Sequence, residues 1–139
     1  MKQKFYNLEI NTNGQKLYEI TDKTINWIKT NYFKEGIINL SIQHTSASLI
    51  IQENADPDVQ KDLIKYLDKL VPMDNKLYIH TVEGKDDMPA HIKSALTNNQ
   101  ISLSIKDSQI LLGTWQGIYL FEHRLQPTKR TIVHHFIGE

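Results

Sequence analysis

The sequence predicts a single α+β domain built on an antiparallel or mixed sheet. Segments of helical period interrupt the strands of the first half, whereas from Ile101 onward strand follows strand. A chain of 139 residues can bury one core and leaves no room for separate binding and catalytic modules, so residues 1–139 form one compact domain. No internal repeat or low-complexity linker divides it.

Residues 3–10 set Phe5, Leu8 and Ile10 among polar neighbours, and Asn13-Gly14 is a strong turn signal before residues 15–20. Together they predict an opening β-hairpin. Thr21-Asp22 offers an N-cap ahead of Ile25, Trp27, Ile28 and Tyr32, whose spacing is near the helical period and stops before Gly36. Residues 37–43 and 48–52 are β-branched and apolar enough for buried strands, with His44-Thr45-Ser46-Ala47 at their junction. At Asp56-Pro57 the aspartate can accept from a free backbone N–H, and a proline in the first helical position needs no donor, so a helix starts there. Val59, Leu63, Tyr66, Leu67 and Leu70 extend it as a core-facing stripe that Pro72 ends. Residues 77–82 read as a strand and 83–89 as a polar connection broken by Gly84 and Pro89, with a short helix from Pro89. Ile101, Leu103 and Ile105 then alternate, Lys106-Asp107-Ser108 turns, and residues 110–112, 117–121 and 131–137 complete the strand-rich half.

The charge balance narrows the partners. Lys plus Arg and Asp plus Glu number 16 each, so the chain lacks the positive excess that draws a protein to nucleic acid. The basic stretch Lys129-Arg130, with Arg124 nearby, reads as a solvated strand end able to hold one phosphate at most. With no cysteine there is neither disulfide nor thiolate, and any metal would be held by nitrogen and oxygen. The first residues lack the apolar core of a signal peptide and no apolar run reaches membrane-spanning length, which predicts a cytoplasmic protein without a membrane partner.

Four segments carry chemistry. Residues 43–48 place the His44 imidazole beside the hydroxyls of Thr45, Ser46 and Ser48, a proton carrier among neutral donors. Residues 53–58 bring Glu53, Asn54, Asp56 and Asp58 to a helix start, where capping explains Asp56 but not its neighbours. Residues 83–91 join Asp86 and Asp87 to His91, with His80 upstream. These ligand types suit zinc or magnesium, and equally an acid and base pair, although an Asp and a His across a proline form no recognised metal motif. Gly113-Thr114-Trp115-Gln116-Gly117 interrupts two strands as a β-bulge or as a place of close approach. After it, alternation sends Glu122 and Arg124 to one side and His123 to the other. By the same rule His134 and His135 face opposite ways and cannot share an ion. Phosphate-loop, helical zinc-protease and serine-elbow signatures are absent.

In order along the chain, residues 44–48 (His-Thr-Ser-Ala-Ser), 53–59 (Glu-Asn-Ala-Asp-Pro-Asp-Val), 86–93 (Asp-Asp-Met-Pro-Ala-His-Ile-Lys) and 112–119 (Leu-Gly-Thr-Trp-Gln-Gly-Ile-Tyr) resemble the YjbQ family, as do the closing Gly138-Glu139. Ser108 stands where that family usually has a turn glycine. The resemblance implies a sandwich-like sheet arrangement, a homotrimer with pockets near subunit boundaries, and a thiamine-phosphate synthase label. That reaction joins a hydroxymethylpyrimidine diphosphate to a thiazole phosphate and releases pyrophosphate. On this basis a small phosphorylated substrate or anion is expected, with Thr45, Ser46, Lys93 and Arg124, or a divalent ion on Asp87, stabilising diphosphate charge. The expected catalytic group is His44, Asp87 and His91, with Asn54 and Gln116 positioning substrate and His44, His80 and His91 as candidate ligands of zinc or magnesium. The alternative is a module that binds a metal or an anion without transforming it.

Overall fold

The computed structural model describes all residues, 1–139. Eight strands form two antiparallel sheets. The larger contains β1 (Lys2–Asn13), β8 (Pro127–Gly138), β3 (Gly36–Ile42), β5 (Gln100–Lys106) and β6 (Gln109–Ile110), in that order, and the smaller contains β2 (Lys16–Glu19), β7 (Gln116–Glu122) and β4 (Ala47–Glu53). Their inner faces close one core. Leu8, Ile38, Leu40, Ile132 and Phe136 from the larger sheet meet Leu49, Ile118 and Leu120 from the smaller, and α1 (Thr21–Thr30) adds Trp27 and Ile28. Alternation along each strand produces this arrangement, because every second side chain faces the same way. The expected α+β class and antiparallel sandwich are what the chain adopts.

The opening hairpin is not formed. Gly14 makes the turn at φ +92°, but β1 pairs only with β8 and β2 only with β7, so the two arms enter different sheets. Local turn chemistry was right and tertiary pairing overrode the partner. Residues 77–82 are not a strand either. A 3₁₀ turn covers Asn75–Leu77, irregular backbone follows, and Leu77, Ile79 and Val82 stay exposed because no sheet edge lies beside them. The expected cap of α1 is also absent. The helix begins at Thr21 itself, whose hydroxyl instead reaches Glu19 and accepts from the Ile118 backbone N–H.

At α2 (Pro57–Leu70), by contrast, Asp56 Oδ1 accepts from the Asp58 N–H at 2.9 Å, with Pro57 in the first turn. Its inward stripe is narrower than expected: Leu63, Ile64 and Leu67 are half-buried, while Tyr66 and Leu70 are exposed. The third helix, α3 (Asp87–Leu96), starts two residues before Pro89, which sits in the first turn where its missing N–H costs nothing. Asp107 and Ser108 both take left-handed φ at the β5–β6 turn, at 52° and 61°. Serine there does the work of the usual glycine.

Candidate metal centre

The first turn of α3 gathers the ionisable groups. Asp87 and His91 are four residues apart on one helical face, and His91 Nε2 stands 3.2 Å from Asp87 Oδ2. His80, from the irregular segment before the helix, brings its Nε2 to 2.6 Å from the same oxygen. One ligand atom from each of His80, Asp87 and His91 lies within 4.8 Å of the other two. The Asp87 side chain is only 2% exposed, while the imidazoles are open to solvent at 45% and 32%.

The surroundings orient these groups. His91 Nδ1 lies 2.9 Å from the Thr45 carbonyl, which can only accept. Nδ1 therefore carries a proton, and Nε2 is the ring atom turned toward Asp87 and His80. Metal-bound histidines are held in this way. Arg124, just past β7, clamps the loop before α3: its Nε donates to Asp86 Oδ2 at 2.9 Å, its Nη1 to Asp87 Oδ1 at 2.5 Å and its Nη2 to the Glu83 carbonyl at 3.0 Å. Burial opposes ionisation of Asp87, but the His80 hydrogen bond and the charges of Arg124 and His91 outweigh it, and the carboxyl is held below its ordinary range. Asp86 behaves likewise: burial is outweighed by the Leu125 N–H and Arg124. The cluster is thus an ionised carboxylate between two imidazoles, with ligand types that suit zinc or another divalent ion and an open outer side.

His44 is next to this cluster but outside its ligand set. It shares a shallow 240 Å³ hollow with Thr45, His91 and Ser94, so the imidazoles of positions 44 and 91 line one cavity. The ring Nε2 accepts from the Thr131 N–H at 2.9 Å, which assigns the His44 proton to Nδ1. Burial, followed by the nearby Arg130 charge, lowers its pKa, so it is a neutral donor at pH 7.

The remaining expected residues divide. Thr45 is exposed at the hollow, whereas the Ser46 hydroxyl accepts from Arg130 Nη2 at 2.9 Å. Arg130 is not a solvated strand end: it is 3% exposed and paired with the fully buried Glu122, which also accepts from Thr12. Lys93 lies nearly opposite His91 around α3 and is 1% exposed, with its ammonium on Asp68 and Gln15. Asn54 and Gln116 lie at the far end of the small sheet. The β4–β7 register runs from Ala47↔Glu122 beside the cluster to Glu53↔Gln116, six steps or about 20 Å away. There, Gln116 Oε1 accepts from the Gly113 N–H at 2.7 Å and Asn54 N–H donates to the Trp115 carbonyl, holding a loop on which Trp115 is exposed.

Sequence reasoning undervalued the Asp87–His91 pair because Pro89 stands between them. A proline in a helix's first turn leaves i,i+4 spacing intact, and that is the signal that identifies the cluster.

An antiparallel sandwich with a carboxylate and two imidazoles clustered at a helix start defines a small α+β protein with a polar, ionisable site. The chain belongs to the YjbQ family: the family described as UPF0047 protein YjbQ-like matches residues 6–139. It is 46% identical over 132 residues to a UPF0047 protein of Synechocystis, covering 95% of this chain and 90% of that one. With the UPF0047 protein YjbQ of Escherichia coli O157:H7 it shares 40% over 136 residues, covering 95% and 96%. A crystal structure of an uncharacterized conserved protein of the YjbQ/UPF0047 family from Clostridium acetobutylicum matches with TM-score 0.83 and 32% identity, over 96% of this chain and 98% of that one. No helix is long and apolar enough to cross a membrane.

Proposed function

We propose that the chain is an enzyme for a small phosphorylated substrate, dependent on a divalent ion held by His80, Asp87 and His91. The observation that carries this reading is the orientation of His91, whose Nδ1–H is taken by the Thr45 carbonyl so that Nε2 faces Asp87 and His80. Zinc fits this nitrogen and oxygen set. When bound, such an ion supplies a Lewis acid beside the substrate's phosphoryl oxygens.

The chain's own residues do the rest. Arg124 fixes the Asp87 carboxylate by one oxygen and leaves the other to the imidazoles. The neutral His44 offers Nδ1–H to an anion in the hollow, and Thr45 offers a hydroxyl. In the thiamine-phosphate synthase reaction implied by family resemblance, these groups would meet the departing pyrophosphate. Purified protein given hydroxymethylpyrimidine diphosphate, thiazole phosphate and zinc tests this. Turnover that disappears in His91→Ala supports the reading, and unchanged thiamine-phosphate formation in that variant refutes it.

A homotrimer belongs to the same proposal. Ile79 and Val82, on either side of the ligand His80, are 102% and 95% exposed, and Leu77 and Leu125 are more than half exposed. A second copy covering them would also wall the open side of the site. A second reading, a module that binds an ion or anion without turnover, draws on the shallowness of the hollow. Stoichiometric zinc binding with no product from any phosphorylated substrate would favour it.

A further inference from the structure

The splayed arms of β1 and β2 leave a cleft between them. Its volume is about 530 Å³, within the range of small-molecule sites. Glu9 and Asn11 line one arm, Lys16, Tyr18 and Glu19 the other, and Tyr119 of β7 is buried in its wall. None of these residues belongs to the cluster on α3.

Of the charges in the cleft, Glu9 is paired with Lys129 at 3.1 Å, and three others are unmatched. Glu19, Lys16 and Lys23 take part in none of the chain's ion pairs. Glu19 is nevertheless held in place: its carboxylate accepts from the Thr21 hydroxyl at 2.9 Å and lies across the sheet register from Tyr119. A glycine preserves this position. A Cβ at Gly117 would come 2.9 Å from both Glu19 Oε2 and the Tyr119 ring. Burial, reinforced by Glu19, raises the Tyr119 pKa, so its hydroxyl remains a neutral hydrogen-bonding group. An exposed carboxylate held by the Thr21 hydroxyl, with two exposed ammonium groups that have no acidic partner, gives one cavity both signs of charge to offer a ligand.

We infer that this cleft is a second binding site, for a small amphoteric molecule whose protonated nitrogen meets Glu19 and whose carboxylate or phosphate meets Lys16 and Lys23. Tyr119 lines this cleft and Gly117 packs against its wall, so the end of the 112–119 block lies here and not at α3. It stands independently of the proposed ion centre.

Calorimetric titration of the full chain tests it with phosphoethanolamine, L-lysine and L-arginine, against agmatine and inorganic phosphate, which lack one of the two charges. At least one amphoteric probe should bind about tenfold more tightly than the single-charge probes. Glu19→Gln, and separately a Lys16→Ala/Lys23→Ala double variant, should each weaken that binding about tenfold, while His91→Ala leaves it unchanged. Melting curves confirm that the variants are folded, and the lysine pair, exposed at the rim, keeps the test available if Glu19→Gln is unstable. The inference is overturned if no amphoteric probe binds at millimolar concentration, if neither folded variant weakens binding, or if His91→Ala abolishes it.

Discussion

Arg124 and Asp87 hold each other at 2.5 Å through Nη1 and Oδ1, and this pairing leaves Asp87 Oδ2 to His80 and His91. The same guanidinium binds Asp86 and the Glu83 carbonyl, so one side chain sets the shape of the loop that precedes α3.

Replacing Arg124 with lysine keeps the charge and loses the fork. The expected result is a 10- to 100-fold loss of zinc affinity in a competition titration, the range typical of residues that orient metal ligands. Arg124→Ala should go further and cost about 3–5 kcal/mol of stability, because two nearly buried carboxylates lose their cation. Wild-type zinc affinity in Arg124→Lys would show that the clamp does not organise the site.

Lys93 separates structure from binding. Its stem is buried and its ammonium is held by the half-exposed Asp68, on the side of α3 away from His91. Lys93→Ala should lower stability by about 2–3 kcal/mol through lost packing while leaving zinc affinity within about twofold of wild type. A large drop in ion or substrate affinity at unchanged stability would instead place Lys93 at the ligand.

Two buried histidines make stability depend on pH. Burial, then the Lys93 and Arg130 charges, pushes His123 down to about 3, and burial pushes His134 down to about 4. Each ring is neutral when folded, with Nε2 held by the hydroxyl of Ser48 or Thr24. As pH falls below the ordinary value of 6.5, the unfolded chain takes up protons that the native state refuses, so the folded state loses ground. Their contribution is full above that value and declines toward about 4 for His134 and about 3 for His123. The unfolding free energy from urea titrations should fall between pH 7 and about pH 5, by about 2 kcal/mol for each histidine. His134→Gln should flatten the profile, and an unchanged slope in that variant would contradict the assignment.

At Gly36 the chain passes so close to β8 that a Cβ would lie 2.2 Å from the Ile137 carbonyl oxygen. Gly36→Ala should therefore destabilise by about 3 kcal/mol or more, read as a shift in the urea midpoint. A wild-type midpoint would mean that β3 and β8 yield easily.

Periodicity made the α+β class and its antiparallel strands legible, because strand alternation and the capped start at Asp56-Pro57 are local signals, whereas the sandwich arrangement was implied by the family resemblance. The partner of β2 was not legible: Asn13-Gly14 encodes a turn, and only the whole core decides that Leu17 lies opposite Phe121 rather than across the turn. Residues 77–82 misled for a related reason. Their β-branched content suits a pleated edge, yet no strand is there to receive them. At the site, His44 and His91 were legible as neighbours of one hollow, and Asp87 and His80 as ionisable groups. What could not be read was that the Thr45 carbonyl fixes the His91 proton, since that bond joins positions 46 residues apart. The burial of Arg130 was equally hidden, because its partner Glu122 becomes close only when β7 and β8 take their places in the two sheets.

The most direct test is an anomalous difference map recorded at the zinc absorption edge from crystals grown with zinc. The account predicts one strong peak coordinated by His80 Nε2, Asp87 Oδ2 and His91 Nε2, absent from Asp87→Ala crystals. A zinc-loaded crystal with no peak there, or with its only peak at His44 or His135, would contradict it.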